Sequence, residues 1–275
     1  MRIFNGQDRS MSVPSRILNK IFYSIQTMSL SLIANWKVNR IRKELILLKD
    51  ADVLILGSSP SPALPDDYRN RLLICCNGSA ANVKQLQLDN PVMTVVDYEL
   101  IDVDVALSKD VRKKIINNKI LANLNLGYLI ATQSNDAIGG NPELLNSEYS
   151  GFLAIDRLTR RKIIDIVTGT NRIERDARLS LCSTGGFAVA LSLFLGARSV
   201  SIAGFSHLFS GNKHPQMHFY DEVLEDLSKE LNTRNHSMAD SALISLSVIN
   251  GYKINTFERD ILPLVQNWGN DGPSW

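Results

Sequence analysis

Apolar residues recur along this chain in two different periods, and the change from one to the other divides it. From Ser12 to Leu48 they keep helical spacing: Ile17, Ile21, Phe22, Ile25, Met28, Leu32 and Ile33, then Val38, Ile41, Leu45 and Leu48. From Asp52 on, short unbroken apolar runs take over. Val53–Leu56 ends at Gly57, Leu72–Cys76 at Asn77-Gly78-Ser79, and Val92–Val96 at Asp97. Runs of this kind suit strands buried on both faces of a parallel sheet. Tyr128–Thr132, residues 200–204 and the region 253–257 predict further strands. Helices are predicted over 109–118 (basic), 187–195 (apolar and closed by Gly196), 222–232 (charged) and 241–249 (apolar). Ile163–Val167 is one more apolar run, and 133–149, rich in Gly and Asn, predicts a long loop. The fold class expected is α/β: a Rossmann-like, mostly parallel sheet flanked by helices over 51–275, with an N-terminal helical appendage over 1–50.

Charge changes the picture only in that appendage. Thirty Lys and Arg against 28 Asp and Glu leave the whole chain at +2, which gives no basis for a nucleic-acid partner. Between Ser12 and Asp50, however, the chain sets Arg16, Lys20, Lys37, Arg40, Arg42, Lys43 and Lys49 against Glu44 and Asp50. A basic amphipathic segment with Phe22, Tyr23 and Trp36 suits peripheral contact with an anionic membrane surface. It equally suits packing on the main domain or on a second subunit in a homo-oligomer, which is favoured because a helical hairpin must bury its stripe. Cys75, Cys76 and Cys182 form no disulfide or zinc framework. With no signal-peptide layout and no apolar stretch of about 18 residues, a cytoplasmic protein is expected, with the inner membrane face as its furthest reach.

Candidate chemistry gathers at the ends of the strands. In open α/β sheets, ligands bind outside the carboxyl ends, and there the chain places Gly57-Ser58-Ser59-Pro60-Ser61, Asn77 and Asp97. The glycine–serine loop is neither a dinucleotide fingerprint nor a P-loop. Any one of these tips reads as ordinary loop chemistry, but three together point to a nucleotide cleft. Ser183-Thr184-Gly185-Gly186 opens the apolar helix, where backbone N–H groups favour an anion. That helix leads through a strand to Gly204-Phe205-Ser206. Arg172, Arg175 and Arg178 would share a helix face, as an anion clamp or, with Glu174 and Asp176 interleaved, as a solvated face. All four histidines lie in the last third; His236 stands one helical turn before Asp240, a carboxyl group able to orient an imidazole base, and spacing alone equally allows His236 to do no more than cap the helix.

Taken in order, these motifs resemble those of CMP-sugar-dependent sialyltransferases. The likeness extends to bacterial glycosyltransferase family 42, the flagellin-modifying motility-accessory-factor transferases and, more distantly, the animal enzymes. Val53–Ser61 with Asn77 is similar to the family's large motif, Ser183–Phe205 to its small motif, and His236-x-x-x-Asp240 to its His-x-x-x-Glu motif. Gly57–Ser61 stands where the bacterial loop reads Gly-Asn-Gly-Pro-Ser. The resemblance spans about residues 52–258. It implies a CMP site with Ser58, Ser61 and Asn77 on phosphate, ribose or sugar, and with Ser183, Thr184 and Gly204–Ser206 on cytidine and ribose. His236 becomes the base for the acceptor hydroxyl. Ser58 replaces the loop asparagine, and Gly204-Phe205-Ser206 replaces Gly-Ile-Asp, which alters the ribose contact. The tyrosines that steady the departing phosphate have no counterpart near Leu208, where His207, Lys213, His214 and His218 are the candidates to replace them.

The implied reaction moves sialic acid, another nonulosonic acid or Kdo from its CMP donor to a cell-surface glycan. No cofactor beyond the donor substrate is implied, and a metal-independent reaction is expected. An oxocarbenium-like transition state builds charge on the departing phosphate, which cationic or N–H-rich loops stabilise. Direct displacement inverts the anomeric centre, whereas related Kdo enzymes retain it. Two other classes compete. His207, His214 and His218 would make a metal enzyme if their segment were helical, which Gly211 and Pro215 oppose. A nucleotide-sensing scaffold would bind CMP and cleave nothing.

Overall fold

Seven parallel strands form a single sheet, ordered β5-β4-β3-β2-β1-β6-β7, in the computed structural model. The structure describes residues 32–59, 61–101, 120–132, 141–169, 182–205 and 237–258, together with 262 and 265. The strands are β1 (Asp52–Leu56), β2 (Leu72–Cys76), β3 (Met93–Asp97), β4 (Tyr128–Thr132), β5 (Gly151–Ile155), β6 (Ser199–Ala203) and β7 (Ile254–Thr256). The chain runs outward from β1 to β5 and then returns to lay β6 on the other side of β1. The order reverses only there, so the topological switch point lies between β1 and β6.

The unbroken apolar runs fit this sheet because both of its faces are covered. Val53, Ile55, Ile74, Cys76, Met93 and Val95 point into one core. Leu54, Leu56, Leu73, Cys75 and Val96 point into another on the opposite face. The first core is built with four helices: α1 (32–44), α2 (Arg157–Thr168), α3 (Thr184–Phe194) and α4 (Ser237–Ile249). The second is closed by short turns and 3-10 segments carrying Ala80, Val83, Tyr98, Leu121, Leu126 and Leu145.

Helix α1 and the turn after it pack onto the first core through Val38, Ile41 and Leu45, spaced to fall on one face, and Ala34 is buried as well. Arg42 reinforces the contact, its guanidinium 4.4 Å from the Phe194 ring centre, and Lys37 pairs with Asp156. The opposite face leaves Leu32, Ile33 and Trp36 exposed beside Arg40 and Lys43.

Two elements were less visible in the sequence. The run Ile163–Val167 is the buried part of a longer helix, α2, started by Asp156 accepting from Thr159 N–H at 2.9 Å and ended at Gly169. Strand β5 has Ile155 as its one fully buried residue, the pattern of a sheet edge, so it lacks the apolar signature of the central strands. The expected helices at 109–118 and 222–232, the residues before 32, the 133–140 part of the predicted loop and Arg172, Arg175 and Arg178 lie outside the described residues.

Candidate functional site

At the switch point the two strand ends meet backbone to backbone. Gly57 N–H donates to Ala203 O at 2.8 Å, and Ser59 N–H to Gly204 O at 3.2 Å. A side chain on Gly57 would overlap the Gly204 carbonyl, and one on Gly204 would come within 2.9 Å of Gly57 O. Gly204 also has φ +78°, a conformation glycine adopts without steric cost. The buried Phe205 ring lies against Gly57 and against Gly185 at the start of α3, so it links both loops to that helix. Gly57, Gly185, Gly204 and Phe205 are therefore brought together. Ser59 is buried in this contact, Ser58 half-buried and Ser61 exposed.

The neighbouring strand ends are tied by side chains. Ser79 Oγ accepts from Cys76 N–H and donates to Leu56 O, both at 2.8 Å, joining the ends of β2 and β1. Asn77, in the left-handed region at φ +51°, accepts from Asp97 N–H at 2.8 Å and so joins β2 to β3. Asn77 and Asp97 are each half-buried along the same edge as the Gly57 loop.

The first turn of α3 is completed from within the protein. Ser183 caps it, its hydroxyl accepting from Gly186 N–H at 2.9 Å. Ser183 N–H donates to Asp240 Oδ1 at 2.8 Å, and a side chain on Gly186 would overlap that same oxygen. A fully buried carboxyl group of α4 thus occupies the helix N-terminus, where the sequence pointed to an anion. Thr184 is buried beside it. Arg160 of α2 lies behind the turn, donating to Cys182 O and reaching Cys182 Sγ at 3.2 Å. Burial pushes the Cys182 thiol up, and the Arg160 charge draws it back part of the way.

Glu258, two residues past β7, was not singled out in the sequence. It is buried, and its Oε1 accepts from both Gly204 N–H at 2.6 Å and Ala63 N–H at 3.0 Å. It stands just after a strand, on the edge that also carries Gly57, Asn77 and Asp97, but no signal in the local sequence marks it out.

Ser206, His207, His214 and His236 lie outside the described residues, as do Lys213 and His218. Among the described residues no group of three His, Cys, Asp or Glu side chains is placed to hold a metal ion. Asp-x-Asp spacings occur at Asp50-Ala51-Asp52, where Asp52 accepts from Arg198 and Ser199 at the amino end of β1, and at Asp102-Val103-Asp104, outside the described residues. No described helix is long and apolar enough to cross a membrane.

Solved structures of similar course are sialyltransferases. One is the sialyltransferase CstII from Campylobacter jejuni in complex with the substrate analogue CMP-3FNeuAc. It is 14% identical, with a TM-score of 0.45 over 78% of this chain and 83% of that one. Another is the monofunctional alpha-2,3-sialyltransferase Cst-I from Campylobacter jejuni, 14% identical, with a TM-score of 0.45 over 81% of this chain and 83% of that one. A third is CST-II in complex with a trisaccharide acceptor and CMP, at 14% identity and a TM-score of 0.43, covering 81% and 89%. No protein-family model matches the chain, and no curated protein matches it. These likenesses are at low identity, and the chemistry of the site rests on this chain's own residues.

Proposed function

We propose that this chain is a glycosyltransferase that moves a nonulosonic acid, sialic acid or a relative such as Kdo, from a CMP donor to a glycan acceptor. The observation that carries the reading is the closed contact of Gly57 with Gly204 and Phe205 at the β1–β6 switch point, where α/β sheets bind nucleotides. The motif resemblance supplies the identity of the nucleotide. Residues 51–275 form the donor-binding domain in this reading, and the segment before them is an appendage whose last helix, α1, joins the same core.

The carboxyl groups suggest how the donor lies. The carboxyl group of Asp240, reaching the start of α3 from α4, and that of Glu258 beside Gly204 both fall on the β6 side, where a phosphate is disfavoured by like charge. The phosphate then belongs on the β1–β2 side, with Ser58, Ser61 and Asn77, and the nucleoside toward Ser183, Thr184 and Gly204–Ser206. His236, directly before α4, takes the proton of the acceptor hydroxyl as the new bond forms. In this reading Asp240 orients His236, and it also holds α4 to α3 by accepting from Ser183 N–H. His207 and His214 stand ready to neutralise the departing CMP.

The test is a titration with CMP, ATP and NAD, followed by transfer assays on His236→Ala. CMP should stabilise the protein while ATP and NAD do not. His236→Ala should bind CMP normally yet lose at least about a hundredfold in transfer, the lower range for a general base. Equal shifts with CMP and ATP would remove the cytidine assignment. A chelator added to the assay should leave transfer unchanged, because the reaction is read as metal-independent. CMP binding without any donor cleavage would make the chain a nucleotide sensor instead.

A further inference from the structure

We infer that Glu258 is a positioning residue of the donor site: its carboxylate holds the loops after β1 and β6 at one fixed separation and so pre-shapes the Ser58–Ser61 loop. This rests on the donor site proposed above. One oxygen, Oε1, receives two backbone amides from different loops, Gly204 N–H at 2.6 Å and Ala63 N–H at 3.0 Å. With Ser59 N–H already on Gly204 O, the serine loop is pinned from both ends to the same glycine. The carboxylate is itself held. Glu258 N–H donates to Thr256 Oγ1, which donates to Ile202 O, both at 3.1 Å, so the clamp is anchored through the β7–β6 pairing.

Its chemistry marks it as more than a filler of space. Glu258 is only 6% exposed, and among the described residues no Lys, Arg or His pairs with it. A carboxylate buried without a cation depends on its hydrogen bonds. Here both donors belong to the loops that frame the crevice. Loops fixed before the ligand arrives bind it without an ordering cost, which is how a residue that touches no substrate raises affinity.

The experiment compares full-length wild type, Glu258→Gln, Glu258→Asp and Glu258→Ala. Circular dichroism reports folding, amide hydrogen exchange is read at Gly204 and Ala63, and CMP is titrated. Gln keeps a carbonyl oxygen at the same reach, so exchange and CMP affinity should stay within about threefold of wild type. Asp, one methylene shorter, cannot span both amides. It should remain folded while Ala63 exchanges faster and CMP affinity falls by about tenfold, the effect of losing a hydrogen bond to a charged group. Ala should do the same at both amides, and if it fails to fold, the Asp variant decides. Unchanged exchange and CMP affinity in Glu258→Asp overturn the inference, as does a Gln variant as impaired as Asp. If wild type binds no CMP while the exchange pattern follows the variants as stated, the CMP reading falls and the clamp stands.

Discussion

Gly57 and Gly204 each stand where the other's backbone leaves no room for a side chain, and that contact sets the most sensitive point of the site. Gly57→Ala would drive a methyl group into the Gly204 carbonyl and the Phe205 ring, neither of which is the free end of a flexible chain. The loops must part, at about 1–3 kcal/mol as for other overpacked positions. CMP affinity should fall by about tenfold or more, each 1.4 kcal/mol being a factor of ten, while far-UV dichroism is retained. Unaltered CMP binding in a folded Gly57→Ala protein would place the ligand elsewhere. The glycines were legible in the sequence because a glycine closing an apolar run has few other uses. Glu258 was not. Its partners lie 54 and 195 residues away in sequence, and nothing local distinguishes it from a solvated glutamate. Asp240 was legible as important, though not its tie to α3. Spacing tied it to His236, which lies outside the described residues, and gave no sign that one carboxyl oxygen also accepts from Ser183 N–H at the start of α3.

Among the elements, α1 shows how a strong sequence pattern can leave its partner undetermined. The period of Val38, Ile41 and Leu45 predicted a buried stripe, and packing was favoured over a membrane surface, with the main domain and a second subunit both open as partners. Packing resolves it for residues 32–48, since Val38, Ile41, Leu45 and Leu48 all enter the core that α3 builds on the sheet. Ile41→Ala should therefore destabilise the protein by about 2–5 kcal/mol in urea unfolding, the range for truncating a buried aliphatic side chain. A loss no larger than that of an exposed substitution would mean that α1 is only loosely attached. Strands β1, β2, β3, β4 and β6 were legible for the same physical reason: two covered faces force continuous apolar runs. Edge strand β5 has no such requirement, and a long apolar helix, α3, needs no alternation to be recognised.

At the scale of the whole molecule the two cores enclose every cysteine. Cys75 points to one and Cys76 and Cys182 to the other, and all three thiols are fully buried. Burial pushes the Cys75 thiol up to about 12 and Cys76 well above its ordinary value. Thiolate is the reactive form, so alkylation in the native state should be slow even at mildly alkaline pH. Labelling by iodoacetamide should follow the global unfolding equilibrium through a denaturant series. A cysteine that reacts rapidly in the native protein would reveal a local opening of one core.

The strand order also bears on how the chain is made. Asp52 and Ser199 are neighbours across the β1–β6 ladder, yet 147 residues separate them. A ribosome finishes β1 through β5 long before it delivers β6, so a growing chain has one side of β1 unpaired. That side carries a full row of backbone donors and acceptors flanked by apolar side chains, the arrangement that templates unwanted strand pairing. Ladders between distant segments also close slowly. The nascent protein is thus most prone to aggregate in the interval between release of β1 and arrival of β6, and the strand that ends this exposure also delivers Gly204 and Phe205 to the site.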